Sequence, residues 1–497
     1  MQGLVCIDIG TTSLRGVLFD SRGRARHVEQ RGSAPDYGPG GCVEQDARTW
    51  HDGVIALLRA CAEAAATQGL EPACVSVTAQ RSSVLAVDAD GTPLHPMLMW
   101  QDTRAAGLAR ELAAGADAAV YQRTGLRISP VFSAVKMAWL RRERPEAWRA
   151  THKLLGVQDW VLWLLTGRFV TDHSLASRTN LLDLDTLDWC PQMLALFEVP
   201  RERLCELVPP GSVVGGLLPA VAAATGLAGG LPVLSAGGDQ QCAALGLGLF
   251  TSRHAVANAG TGGFLIGHAD HPLHDPLRRV SCNVAAVPGA YIVEAALLAA
   301  GSVHQWFRRL LADADVATLE AEAGRAPAGC DGVLLLPHFE GCGSPHWDPV
   351  ARGAFVHLDL HTSRGTLARA ILEAIAYGFK DGLDVIETLC GPVAEVHVSG
   401  GMTRSALFNR IQCDVLERPL LRFGGNEATA QGAWIAGCVA TGLAAGHAQA
   451  YERLVALDPH ERLVPDPAPQ AVYRRQRQRS HAIYTALASP AVNDLYR

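Results

Sequence analysis

Lysine is almost missing from this chain. Among 497 residues only Lys136, Lys153 and Lys380 occur, so arginine supplies nearly all of the 43 basic side chains. None of the three lysines follows a glycine, which excludes a Walker A loop, whose Gly-Lys-Ser/Thr run carries a lysine to the β and γ phosphates. If the chain uses ATP, it holds the phosphates another way. No full G-x-G-x-x-G stands between a strand and a helix, which disfavours a dinucleotide site. No apolar run approaches the ~18 to 20 residues of a membrane span. The net charge is −6 with no dense basic run, so the electrostatic footprint of a nucleic-acid binder is absent and the partner is expected to be small. The RRQRQRS stretch near residue 475 reads as a solvated helix face. Thirteen cysteines are scattered without a C-x-x-C pair, which argues against zinc or dithiol chemistry and for buried small hydrophobes. The opening MQGLVCIDIG lacks the pattern of a secretory signal, and a reducing cytoplasm is the expected address.

What is present is enough chain for about three domains or two large ones at ~150 residues each. With 48% hydrophobic and 19% charged residues, it should bury a sizeable core. A strand over 4–9 runs into Asp8, Gly10, Thr11, Thr12 and Ser13 and returns over 16–20, which is a hairpin with a polar turn. A helix is expected over about 47–68, where Trp50, Val54, Leu57, Leu58 and Cys61 recur at helical spacing behind a cap at Asp46. Strands follow near 73–78 and 84–88. The alternation indicates an α/β layer architecture. Near Leu231 a comparable series begins, with LPVLS meeting Gly237, Gly238 and Asp239, then HAVANA meeting Gly260, Thr261, Gly262 and Gly263. A helix over about 363–389 precedes VAEVHVSGG, which delivers a third strand into a double-glycine turn. We read two halves, 1–245 and 246–497, with a cleft assembled from several glycine turns.

Four turns offer chemistry. In Asp8-Ile9-Gly10-Thr11-Thr12-Ser13, glycine permits close backbone approach, and consecutive amides and hydroxyls suit phosphate oxygens. A carboxylate at the strand end suits a magnesium ion held through water. An ordinary hairpin satisfying its own backbone is the alternative. Arg15 adds a fixed positive charge. Asp239, after two glycines, can accept the proton of an attacking hydroxyl, and it is equally a candidate helix N-cap. The Gly260–Gly263 turn can wrap a phosphate, and Ser399-Gly400-Gly401 can let an adenine approach the backbone. His338, His346 and His357 read as structural or exposed, since no H-E-x-x-H motif occurs. Cys342 has no cation beside it in the sequence to make it reactive.

Taken in order, DIGTTSLRGVLFD, MWQDTR, RTGLRISPVFSAVKMAWL, GGDQQCAALG, NAGTGG, PHWDPVARGAF and SGGMTRSALFNRIQCDVLERP resemble the FGGY family of carbohydrate kinases over nearly the whole chain. The resemblance implies an α/β fold of two actin-like, ribonuclease-H-like domains. ATP and a sugar or polyol would meet between them, with transfer of the γ-phosphoryl group to a hydroxyl. It makes Asp239 the base, puts Asp8 near Mg2+, and assigns Thr11, Thr12, Arg15 and Thr261 to phosphates. Gly301, Gln305, Gly401 and Ser405 would contact the nucleotide, and Gln80, Arg81, Trp100, Asp102, Asp239 and Gln240 would surround the acceptor. For Asp102 a helix cap, and for Trp100 a core position, are the competing roles. Relatives of this kind are frequently homodimers.

The acceptor is less defined. Glycerol kinases carry an acidic residue after the Gln-Arg pair and an aromatic one in the Ser-Pro segment, where this chain has Ser82 and Val131. Xylulokinases place Met and His after the Gln, where this chain has Arg81 and Ser82. A ketopentose such as xylulose is expected first, then a pentitol or other polyol such as erythritol, then glycerol. An actin-like ATPase that needs no sugar acceptor is the reading from another class.

Overall fold

The computed structural model describes residues 1–489, apart from 313, 426, 458 and 459, together with residue 492. Two sheets organise it, one in each half. In the first, Gln2–Ile9, Ser13–Asp20 and Ala25–Gly32 form an antiparallel meander. Gln2–Ile9 also pairs in parallel with Glu71–Ala79, which pairs in parallel with Pro232–Gly238, and Ser212–Gly216 closes that edge. The second sheet repeats the plan. His254–Ala259, Gly263–Ala269 and Tyr291–Leu297 form the meander, while Glu395–Ser399 and Leu420–Phe423 extend it in parallel. The duplicated meander-plus-parallel order is the mixed α/β arrangement expected from the two glycine-turn series.

Local sequence explains most of these elements. The helix Ala47–Thr67 starts where Asp46 accepts the Arg48 N–H at 2.9 Å, and it buries Trp50, Val54, Leu57, Leu58 and Cys61. They meet Ile7, Ile9, Val75 and Val77 of the first sheet in one apolar cluster, each large side chain contributing about 1.5–3 kcal/mol through burial. The helix Arg364–Cys390 begins with Ser363 accepting the Thr366 N–H and is buried along most of its length in the second core.

The halves are not independent. The helix Ala428–Ala440, late in the chain, returns to the first sheet, where Trp434 is fully buried beside Phe19 and donates to the Asp20 carbonyl at 3.1 Å. It also crosses the helix Asp239–Gly246 backbone to backbone, since a Cβ on Gly432 would lie 1.9 Å from the Cys242 carbonyl oxygen. Only small residues permit that approach.

The RRQRQRS stretch is more engaged than a solvated face. On the helix Pro467–Leu487, Arg477 pairs with Asp381 and Asp384 at 2.6 and 2.5 Å, and Arg474 pairs with Glu417. No helix of the described residues is long and apolar enough to cross a membrane.

Candidate active site

Three parallel neighbours, Pro232–Gly238, Glu71–Ala79 and Gln2–Ile9, end at one edge of the first sheet, with Ala79 opposite both Ile9 and Gly238. Asp8, Gln80, Arg81 and Asp239 are therefore gathered from distant sequence by register alone. The mouths of parallel strands are where α/β sheets characteristically bind ligands. The carboxylates of Asp8 and Asp239 feel each other: burial pushes the Asp8 carboxyl up to about 7, and the negative charge of Asp239 adds to it. Asp239 is raised too, by burial, against the pull of Arg81. Two carboxylates in one site titrate as a pair.

Arg81 ties this edge to the other half. Its Nε lies 3.4 Å from Asp239 Oδ1, and its Nη1 lies 3.1 Å from Glu294 Oε2 and 3.4 Å from Gln241 Oε1. Glu294 stands on Tyr291–Leu297 of the second sheet, and its other oxygen accepts from Arg178 at 3.2 Å. Arg178 also donates to Asn283 at 3.0 Å and lies over the Phe132 ring. Burial, then repulsion from Arg81, pulls Arg178 down to about 10. Burial opposes the charge of Glu294, and the two guanidiniums outweigh it and keep the carboxyl below its ordinary range. Gly238 makes room for this wiring, since a Cβ there would come within 2.9 Å of the Arg81 side chain.

The Asp8–Ser13 turn is braced by Trp100 and Gln80. The Trp100 indole N–H donates to Thr11 Oγ1 at 2.9 Å, and Gln80 Nε2 donates to the Gly10 carbonyl at 3.3 Å. Thr12 is exposed, with its carbonyl accepting from the Ser33 N–H. Arg15 sits beside the turn, where its guanidinium pairs with Glu427 at 2.9 Å and donates to Gln30 at 2.8 Å.

The second half supplies a matching edge. The Gly301 N–H donates to the Gly260 carbonyl, and the Ala300 and Ser302 N–H groups donate to the Thr261 carbonyl. The Gly260–Gly263 turn is thereby seated on the start of the helix Gly301–Leu310. A Cβ on Gly301 would lie 2.4 Å from Gly260 O. Gly400, at φ +95, leads into Gly401, and a Cβ on Gly400 would lie 2.5 Å from the Ala259 carbonyl oxygen. Thr261 and Gln305 are exposed.

Several assignments change with the geometry. Asp102 does not cap the helix that follows, which runs over Ala106–Thr124. Its Oδ2 accepts the Val43 N–H at 2.8 Å and pairs with Arg104 at 2.7 Å, while its Oδ1 accepts the Arg104 backbone N–H at 3.0 Å, so the buried carboxylate is braced from both sides. Asp239 is the first residue of its helix, with Gly238 at the N-cap, and its Oδ1 accepts the Gln240 N–H. Ser405 caps the helix Ala406–Leu416 and donates its hydroxyl to Glu320 at 2.7 Å, so that hydroxyl is already engaged. Cys342 is buried and its thiol is pushed up to about 12, by burial first, which makes it inert. Arg178, Glu294 and Glu427 are absent from the residues singled out in the sequence. The one visible signal was an acid inside the apolar run YIVEAAL.

The donor sets fit nucleotide and magnesium. Oxygen-only Asp8 and Asp239 suit a hard divalent cation. Backbone amides flanked by glycines that tolerate no Cβ suit phosphates. Ser302 Oγ and Gln240 Oε1 are buried without a hydrogen-bond partner among the described residues, as groups awaiting a ligand would be.

Comparison with known proteins agrees. The profiles of the FGGY family of carbohydrate kinases match residues 4–246 with its N-terminal domain and 255–441 with its C-terminal domain. The chain belongs to the FGGY family of carbohydrate kinases. It is thus an ATP-dependent sugar or polyol kinase. It is 35% identical over 450 residues to a glycerol kinase from Bordetella parapertussis, covering 86% of this chain and 87% of that one. It is 35% identical over 476 residues to a glycerol kinase from Alkalilimnicola ehrlichii, covering 92% and 94%. Among solved structures, a xylulose kinase from Rhodospirillum rubrum superposes with TM-score 0.91 at 30% identity, covering 98% of this chain and 99% of that one. A Plasmodium falciparum glycerol kinase with ADP reaches TM-score 0.90 at 22% identity, covering 98% and 99%, which speaks to the fold alone. This FGGY kinase shares its architecture with enzymes named for two different acceptors.

Proposed function

We propose that this FGGY kinase phosphorylates a ketopentose, with D-xylulose the first acceptor to test. The observation that carries the reading is the pair Ser82 and Val131. Glycerol kinases have an acidic and an aromatic side chain at these places. Here the Ser82 hydroxyl is turned away to the Arg178 carbonyl at 3.2 Å, and Val131 is only partly buried. Two small side chains leave length and width for an acceptor larger than a triol. A glycerol acceptor is the second reading, favoured by the 35% identity to glycerol kinases.

In this proposal the Asp239 carboxylate accepts the proton of the acceptor hydroxyl. The hydroxyl oxygen bonds to the γ-phosphorus of ATP, and the bond from that phosphorus to the β,γ-bridging oxygen breaks to leave ADP. Arg81 fixes the Asp239 carboxylate and, with Gln80, Trp100 and Gln240, orients the acceptor. Thr11, Thr12, Arg15 and the Gly260–Gly263 turn hold phosphate oxygens, with Gly301, Gln305, Gly401 and Ser405 on the nucleotide side. Asp8 would hold Mg2+, whose contribution is to neutralise phosphate charge. Residues 1–245 and 246–497 serve as the two sides of the cleft, and their approach excludes water as a competing acceptor.

ADP release from Mg-ATP across D-xylulose, other ketopentoses, pentitols, erythritol and glycerol, with a no-acceptor control, tests the reading. Stimulation highest with D-xylulose supports it, and stimulation highest with glycerol replaces it by the second reading. Equal release in every arm, including the control, would reveal an ATPase without an acceptor.

A further inference from the structure

We propose that His254, Glu395 and His397 bind a single divalent transition-metal ion, zinc first, that staples the two central parallel strands of the second sheet. This inference stands apart from the acceptor assignment. His254 opens the strand His254–Ala259 and Glu395 opens Glu395–Ser399, and the two residues are in register. His397, two residues on, shares the face of Glu395. One ligand atom from each residue lies within 4.8 Å of the others.

The orientation of the rings carries the argument. His397 Nδ1 donates to the Leu247 carbonyl at 2.5 Å, so Nε2 is the nitrogen a metal would take, in place of any proton it carries. Nε2 lies 3.3 Å from Glu395 Oε1. The His254 and His397 rings stack with centroids 4.9 Å apart. An imidazole anchored to a carbonyl through one nitrogen, as His397 is, is held as metal-ligating histidines usually are. Two ligands held at ~2.0 Å from a tetrahedral zinc stand about 3.3 Å apart, the separation found between His397 and Glu395. Two imidazoles and a carboxylate favour zinc or cobalt over magnesium or calcium. Arg462, 2.8 Å from Glu395 Oε2, is the competing positive charge. The far ends of the same two strands carry the Gly260–Gly263 and Gly400–Gly401 turns, so the metal would stiffen the base of the nucleotide edge without touching it.

Full-length protein would be equilibrated with Zn2+, dialysed against metal-free buffer and assayed for bound zinc. A parallel Co2+ titration would be read by visible absorption. The expected result is about one ion per chain, with nitrogen-and-oxygen rather than thiolate bands. His254→Gln should weaken binding at least about 100-fold, and Arg462→Gln, which removes the competing charge, should tighten it several-fold. Thermal melts of both variants without metal check that the fold persists. Failure of the wild type to retain zinc, thiolate bands, or unchanged affinity in the folded His254→Gln protein would each overturn the site. So would weaker binding in Arg462→Gln.

Discussion

Arg81 and Glu294 come from different halves of the chain and meet in a buried ion pair at 3.1 Å. The same arginine reaches Asp239 at 3.4 Å, so Glu294 of the opposite sheet positions, through Arg81, the carboxylate proposed to move the proton. A buried charge stripped of its partner is expensive, about 3 kcal/mol or more. Glu294→Gln would leave Arg81 and Arg178 facing each other with half their compensation removed. We expect a stability loss of about that size in urea unfolding. Asp239 would lose a repelling neighbour and keep the attraction of Arg81, so its carboxyl would titrate lower. The acid limb of kcat/KM should therefore move to lower pH. An unmoved limb would separate Glu294 from the base.

Asp239→Asn removes the proton acceptor while keeping the shape of the helix start, where Gly238 rather than Asp239 is the N-cap. Turnover should fall by about 10² to 10⁴-fold, with ATP binding, followed by calorimetry, changed by no more than a few-fold. Near-normal turnover would take Asp239 out of the base role.

The elevated Asp8 carboxyl gives a signed pH dependence. An unfolded aspartate titrates near 3.9, whereas in the fold Asp8 holds its proton to about 7. Between these values the native state binds more protons than the unfolded state, so rising pH lowers stability through that window and leaves it level above. Buried Asp159, also raised to about 7, acts with the same sign. Denaturant midpoints of the ligand-free protein at pH 5 and pH 8 should therefore differ, and Asp8→Asn should reduce the difference without abolishing it. An undiminished difference in the variant would mean that Asp8 is already ionised at pH 5.

How much of this was legible without coordinates depends on distance along the chain. The hairpin around Gly10, the Asp46-capped helix and the glycine turns are local patterns, and they appear close to where the sequence puts them. The competing cap role of Asp102 looked plausible because a turn aspartate beside a helical run resembles a cap. Its carboxylate instead finds the Val43 N–H from an extended segment 59 residues earlier. The Arg81–Glu294 and Arg178–Glu294 pairs span 213 and 116 residues, and nothing local in either arginine's surroundings announces them. His254 and His397 escape a search for spaced metal ligands for the same reason, since the strand register supplies the proximity.

Gly301 tests the nucleotide edge by shape alone. A methyl group added there would lie 2.4 Å from the Gly260 carbonyl oxygen, forcing the 260–263 turn off the helix start. Gly301→Ala should raise the KM for ATP roughly ten-fold, equivalent to about 1.4 kcal/mol, and leave the acceptor KM within about two-fold. A larger effect on the acceptor would place this turn on the wrong side of the cleft.

Arg15 and Glu427 make opposite predictions for one substrate. Their ion pair at 2.9 Å is partly exposed, with side chains 28% and 23% accessible, so it is worth little to the fold and is screened by solvent. If Arg15 serves a phosphate, Glu427 competes for the same guanidinium. Arg15→Ala should raise the KM for ATP by about ten-fold, the scale of one charge-assisted hydrogen bond, with little change for the acceptor. Glu427→Gln frees the fork and should lower the KM for ATP, more at low salt than at high, because the competing attraction is electrostatic. Initial rates at varied ATP and two ionic strengths decide the matter. Parallel losses in both variants would make the pair a structural tie between the first hairpin and the helix Ala428–Ala440, and would remove Arg15 from the phosphate contacts.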